Sequence, residues 1–141
     1  MKLLHLNPPG LPDWSATFSQ VVVVEHEGLR HLYVSGQVGV NDSKTLVGDG
    51  GFEAQLDRAF CNLEMALEAG TGSWPDVVKL TVYVVNYAPA HASSIRRALT
   101  SRFPPGTLPA LSLLGVAALA DPMFVVEIEA TAVVQVSESK G

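Results

Sequence analysis

The chain has 141 residues and a single cysteine, Cys61, so no internal disulfide can form. That usage fits a reducing, cytoplasmic setting. Long apolar runs are missing too. Gly, Pro or charge interrupts each one well short of the roughly 18 residues a membrane helix needs, so no membrane partner is expected. Residues 1–9 lack the apolar core and small-residue cleavage site of an export signal. Charge is sparse, at 16% of residues, and leans acidic: nine Lys plus Arg against fourteen Asp plus Glu, a net charge of −5. Proteins that grip nucleic acid need a basic stripe for phosphate contacts, and none is visible, so no nucleic-acid partner is expected. What is abundant is apolar side chain, 48% of the total, which excludes disorder. The length provides for one domain, 1–141. Low charge beside high apolar content points to apolar surface covered by another subunit.

Residues about 1–17, with Pro8, Pro9 and Pro12, are expected to be irregular. Val21–Val24 and His31–Gly36 flank a polar, Gly-containing turn and predict a β-hairpin. Residues 41–51 form a polar loop. From Phe52 to Ala69 the apolar period becomes helical, with Leu56, Ala59, Phe60, Leu63, Ala66 and Leu67 on one face. Gly70 and Gly72 supply its stop. Val78, Leu80, Val82 and Val84 alternate with polar residues as a strand. A second helix is predicted over Ala90 to Phe103, striped by Ala92, Ile95, Leu99 and Phe103 and ended by Pro104-Pro105-Gly106. Leu108 to Val116 is expected to be extended. The last strand spans Met123 to about Val136, with Phe124, Val126, Ile128, Ala130, Ala132 and Val134 expected under the helices. Glu127 and Glu129 then share the opposite face. The order ββ-α-β-α-ββ predicts a two-layer α+β domain with a mixed sheet and both helices on one sheet face. The Val-rich second face calls for cover by identical subunits.

Particular segments resemble a known family. Phe18-Ser19-Gln20 with Tyr33-Val34-Ser35-Gly36-Gln37 is similar to the opening of the Rid family (reactive intermediate deaminases, also called the YjgF or endoribonuclease L-PSP family). Asp76 to Val84 resembles its central strand. Leu108-Pro109-Ala110-Leu111-Ser112 and Val126-Glu127-Ile128-Glu129-Ala130 resemble its last two strands. The resemblance covers about residues 15–135. It implies a chorismate-mutase-like protomer and a homotrimer with three clefts between subunits.

The same resemblance shows departures. Typical deaminase members carry an Arg, which clamps the substrate carboxylate, where this chain has Leu111. They usually carry a Tyr at the position of Phe18 and often a Cys at that of Leu113. An Asn of their second helix has no clear counterpart here, Ser94 and Ile95 being nearest. What remains is Glu127, which family members use to orient or activate water, with Gly36 and Ser112. The implied cleft therefore comprises Phe18, Ser35, Gly36, Leu111, Ser112 and Leu113 around a candidate catalytic Glu127. Apolar neighbours would raise the pKa of that carboxyl, as suits a general base or a polar anchor.

Other candidates read as structural. Salt-bridging or a subunit contact is expected of Glu129. His26 and His31 flank the hairpin turn near Glu25 and Glu27 and read as solvated rather than metal ligands. Cys61 has no His or Lys at a helical neighbour to act as a base. Arg96 borders the apolar stripe of the second helix and is the one candidate to replace the missing Arg, although Arg96, Arg97 and Arg102 read as surface residues. Gly48-Asp49-Gly50-Gly51 reads as a loop and cap, since Asp49 repels an anion there. No cofactor and no metal is called for. RNA cleavage wants positive charge and a basic acid–base pair, which this chain lacks.

Three functions remain open at this point. The leading one is a trimeric protein that holds a small, mostly apolar or neutral metabolite in its inter-subunit clefts, without the archetypal 2-imino acid deaminase activity. A hydrolase or deaminase for an enamine, imine or related small molecule, with Glu127 activating water, is the first alternative. A non-catalytic trimeric scaffold or chaperone-like protein is the second. Light scattering is expected to give about three times the 15.0 kDa protomer mass. A stable monomer at micromolar concentration would remove the inter-subunit cleft altogether.

Overall fold

The computed structural model describes residues 1–136. Eight main elements follow in chain order: β1 (Lys2–Leu6), β2 (Val21–His26), β3 (Leu29–Val38), α1 (Phe52–Ala69), β4 (Val77–Val85), α2 (Pro89–Thr100), β5 (Ala110–Val116) and β6 (Val126–Gln135). The strands form one sheet in the order β1-β2-β3-β6-β4-β5. All neighbours are antiparallel except β4 and β5, which the α2 crossover joins in parallel. The predicted α+β architecture, two helices against one face of a mixed sheet, is the one observed. Residues 137–141 of the expected single domain lie outside the described residues.

Alternation builds the core. Val21, Val23, Leu32, Val82, Ile128 and Ala132 all point at the helices and are fully buried. The α1 stripe of Leu56, Ala59, Phe60, Leu63, Ala66 and Leu67 meets them, as its period predicted. Helix α1 ends in a Schellman arrangement, with Thr71 N–H to Glu68 O at 2.9 Å and Gly72 N–H to Leu67 O at 2.8 Å. The left-handed residue is Thr71, with φ of 66°, rather than a glycine. Gly70 is needed for space instead: a Cβ there would lie 2.6 Å from Leu32 Cδ2.

Several expectations need correction. The irregular start is shorter than 1–17, because Lys2–Leu6 pairs with β2 and turns Leu4 and Leu6 onto the core. The prolines begin only at Pro8, after that strand has ended. In β4 the register shifts between Val77 and Lys79, so Val77 is buried and Val78 is 48% exposed. The α2 helix runs Pro89–Thr100, with Pro at its first position, where a missing N–H costs nothing. Phe103 is still buried, just past the helix end. Phe124 precedes β6 rather than starting it, and so is not under the helices.

Gln55 joins the layers. It is fully buried on α1, and its Nε2 donates to Gly50 O at 2.8 Å and Met123 O at 2.9 Å. Its Oε1 accepts from Val125 N–H at 3.0 Å. One amide thus fixes the loop before α1 and the entry to β6. Gln55→Leu keeps the size but orphans three backbone groups, and is expected to cost about 2–4 kcal/mol in chemical denaturation. A loss below about 0.5 kcal/mol would mean that water replaces the amide there.

Candidate functional site

The site begins at a β-bulge. Between the pairs Val34↔Ala130 and Gln37↔Ile128, β3 has two residues, Ser35 and Gly36, where β6 has one, Glu129. The extra residue turns Gln37 inward, where it is buried, and leaves Val38 opposite Glu127. Glu127 then lies directly over Gly36. A Cβ on Gly36 would sit 2.0 Å from Glu127 Oε1, so only glycine admits the carboxyl in this position.

Buried amides tie the N-terminal arm to the bulge. Gln37 Nε2 donates to Gln20 Oε1 at 2.8 Å and to Ser35 O at 2.9 Å. Gln20 Nε2 donates to Pro12 O at 3.0 Å, and Ser35 Oγ donates to Ser19 O at 2.6 Å. Leu11 anchors the arm in the core. Between these ties the turn from Trp14 to Phe18 closes through Phe18 N–H to Trp14 O at 3.0 Å. The Trp14 and Phe18 rings stack at 6.3 Å and 25°. Lys44 Nζ lies 4.4 Å from the Trp14 ring centre.

These residues enclose a cavity of about 270 Å³, lined by Trp14, Thr17, Phe18, Gly36, Val38, Ala120, Phe124 and Glu127. Among the described residues, no side chain donates a hydrogen bond to the Glu127 carboxyl. Burial first, and the charge of Glu129 second, push its pKa above the usual 4.5. Glu129 itself accepts a hydrogen bond from the Tyr83 hydroxyl. That bond is the main reason the Tyr83 phenol is pushed up to about 12. A half-buried carboxyl beside open space can anchor a ligand N–H or take a proton from a bound water.

The structure gathers only part of the expected cleft. Phe18, Gly36 and Glu127 share the cavity, and Ser35 sits behind it, bound to the arm. Leu111, Ser112 and Leu113 lie on β5, two strands from β6, and do not line it. Leu111 and Leu113 pair with Leu80 and Val82, which face the helices, whereas Glu127 faces away from them. Ser112 shares the Glu127 face and accepts a hydrogen bond from Lys79 Nζ at 2.8 Å. Arg96 is exposed on α2, in the helix layer, so within one protomer it does not reach the cavity. Ser94 bonds to Glu53 of α1 and Ile95 is in the core. His91 caps α2, its Nδ1 accepting from Ala88 N–H at 2.9 Å, and its ring lies 4.4 Å from that of Phe52. Asp49 accepts from Gly51 N–H at 2.8 Å in the loop before α1. No group of three metal-ligating side chains occurs among the described residues.

Sequence reasoning missed Trp14, Phe124 and Tyr83. Trp14 stands four residues before Phe18, a spacing that puts two rings on one turn, but in a proline-rich segment it gave no periodic signal. Phe124 fits the alternation of β6 and was misplaced by it.

Comparison with known proteins adds to this geometry. Residues 11–134 match the family model described as Endoribonuclease L-PSP. The chain is 30% identical over 132 residues to a 2-iminobutanoate/2-iminopropanoate deaminase of Dermatophagoides farinae, covering 92% of this chain and 95% of that one. It is 34% identical over 122 residues to a protein of the same name from Rattus norvegicus, covering 86% and 83%. A solved Rid-family structure from Yersinia pestis superposes with a TM-score of 0.80 at 26% identity, over 94% of this chain and 100% of that one.

The half-buried carboxyl has a consequence for stability. Because its pKa is raised on folding, the folded state holds that proton longer than the unfolded one. The contribution of this group to stability is greatest below the usual 4.5 and falls as pH rises through the raised value. Glu127→Gln removes this loss. The variant is expected to match the parent in thermal melts below about pH 4.5 and to exceed it at neutral pH. A variant less stable at neutral pH, or a dissociated one, would show that Glu127 serves in an ion pair.

Proposed function

Since the chain belongs to the Rid family, also called endoribonuclease L-PSP, we propose that it binds a small molecule without a carboxylate at the Glu127 cavity. The observation that carries this reading is the half-buried Glu127 carboxyl over Gly36, in a cavity with no cationic side chain among the described residues that line it. In this reading the protein is a homotrimer in the cytoplasm. Leu111, Ser112 and Leu113 of one subunit then approach the Phe18, Gly36 and Glu127 of another. The exposed side chains of Tyr33 and Leu114, on the sheet face away from the helices, support such cover.

An imino acid entering such a cleft must shed the water around its carboxylate. A guanidinium offsets that loss with two charge-assisted bonds. Leu111 provides no donor, and Glu127 repels the anion when ionised. Phosphate meets the same obstacle, so RNA is not a partner in this reading.

The names of the relatives favour a second reading, hydrolysis of an imine or enamine. The oxygen of a bound water would bond to the imine carbon while Glu127 takes one of its protons. Glu127 returns that proton to the nitrogen, the new hydroxyl gives up its own proton as the C–N bond breaks, and the nitrogen leaves as ammonia with both, so that imine plus water gives a carbonyl compound plus ammonia.

An amino-acid oxidase that generates 2-iminopropanoate provides the test. Ammonia release is expected about two decades below that of a 2-iminobutanoate/2-iminopropanoate deaminase control, since about 3 kcal/mol of clamp is missing. Leu111→Arg is expected to restore binding of carboxylates, with little turnover. Release equal to that of the control would overturn the proposal.

A further inference from the structure

The side chains lining the cavity over Gly36 include a carboxylate and, among the described residues, no cation. Glu127 is its charged lining residue, and Trp14, Phe18 and Phe124 give it aromatic walls. Glu129, one step along β6 on the same face, adds negative potential from behind. Its carboxylate is satisfied by the neutral Tyr83 hydroxyl rather than by a cation. Lys79, also on this face, donates to Ser112.

Each charge type meets a different reception here. An anion would lose its water and gain a carboxylate neighbour. A neutral group gains one hydrogen bond and apolar contact. A cation gains both a charge-assisted bond to Glu127 and the negative faces of the rings. The Trp14 indole already attracts one cation, Lys44 Nζ, at 4.4 Å from its centre.

We propose that this cavity selects small cations that lack a carboxylate, protonated imines and amidine-like groups, over their neutral and anionic counterparts. The proposal rests on the carboxylate-free reading above and narrows it from neutral ligands to cationic ones. Imines of this kind are what oxidation of a primary amine without a carboxyl group yields, so an amine oxidation is the class of reaction that supplies them.

Three probes of one shape test it. Benzamidinium, benzamide and benzoate share a ring and a planar head and differ in charge. Calorimetric titration of the full-length protein is expected to show benzamidinium binding about tenfold or more tighter than benzamide, with benzoate undetectable. Glu127→Gln is expected to level the first two. Trp14→Ala, on the surface arm, is expected to weaken benzamidinium by about threefold or more. Circular dichroism checks that both variants are folded. Benzamide binding as tightly as benzamidinium would overturn the charge selection and leave the carboxylate-free reading standing. Benzoate binding tightest, or none of the three binding, would overturn both. Benzamidinium binding untouched by either variant would place it elsewhere and overturn the proposal.

Discussion

The two-against-one bulge at Ser35–Gly36 is the constraint on which the site depends. An unbroken β3 would put Gly36 on the helix side and Gln37 on the open side. The extra residue reverses that. Gln37 turns into the protein, where its amide needs partners, and Gln20 and the Ser35 carbonyl supply them. Gln20 in turn holds Pro12, so the arm from Leu11 to Ser19 is pulled over the sheet. Trp14 and Phe18 come with it, and the space between them and Gly36 is the cavity. A buried amide without partners costs more than its bond returns, so the network forms complete or not at all.

A second amide, Gln55, does the corresponding work from the helix layer. By holding Met123 and Val125 it sets where β6 begins, and so where Phe124 stands and where Glu127 falls in register. The carboxyl and its walls are thus placed by three buried glutamines, none of which lines the cavity. Such groups carry geometry rather than chemistry, and their influence on ligand binding would be indirect.

The chemistry of the cavity is defined as much by what is missing as by what is present. Among the described residues no guanidinium lines it, and burial first, with the charge of Glu129 second, raises the pKa of Glu127. Glu129 strengthens this, while its own carboxylate is steadied by Tyr83. In the proposed reading such a site accepts positive or neutral partners and resists negative ones. Where the family resemblance implies a carboxylate-clamping Arg this chain has Leu111, which in the proposed reading bears on the charge of the ligand as well as on the strength with which it is held.

The architecture was legible in the sequence because periodicity is local. The helical face of α1 from Phe52 to Ala69 and the alternation of Val126 to Val134 each follow from burying one side of a regular element. Glu127, Gly36 and Phe18 were legible through family resemblance, since their motifs are contiguous. Register and long-range contact were not. Val78 alternates correctly yet lies outside, because an irregularity in pairing with β6 shifted its strand. Phe124 alternates correctly yet lines a cavity, because Gln55 starts β6 two residues later. Lys2–Leu6 was masked by nearby prolines, although a strand needs only a partner, and β2 is one. Local sequence sets which side of an element is apolar. Only the folded chain, by closing bulges and satisfying buried amides between residues as distant as Gln55 and Val125, decided which side chains face the same space.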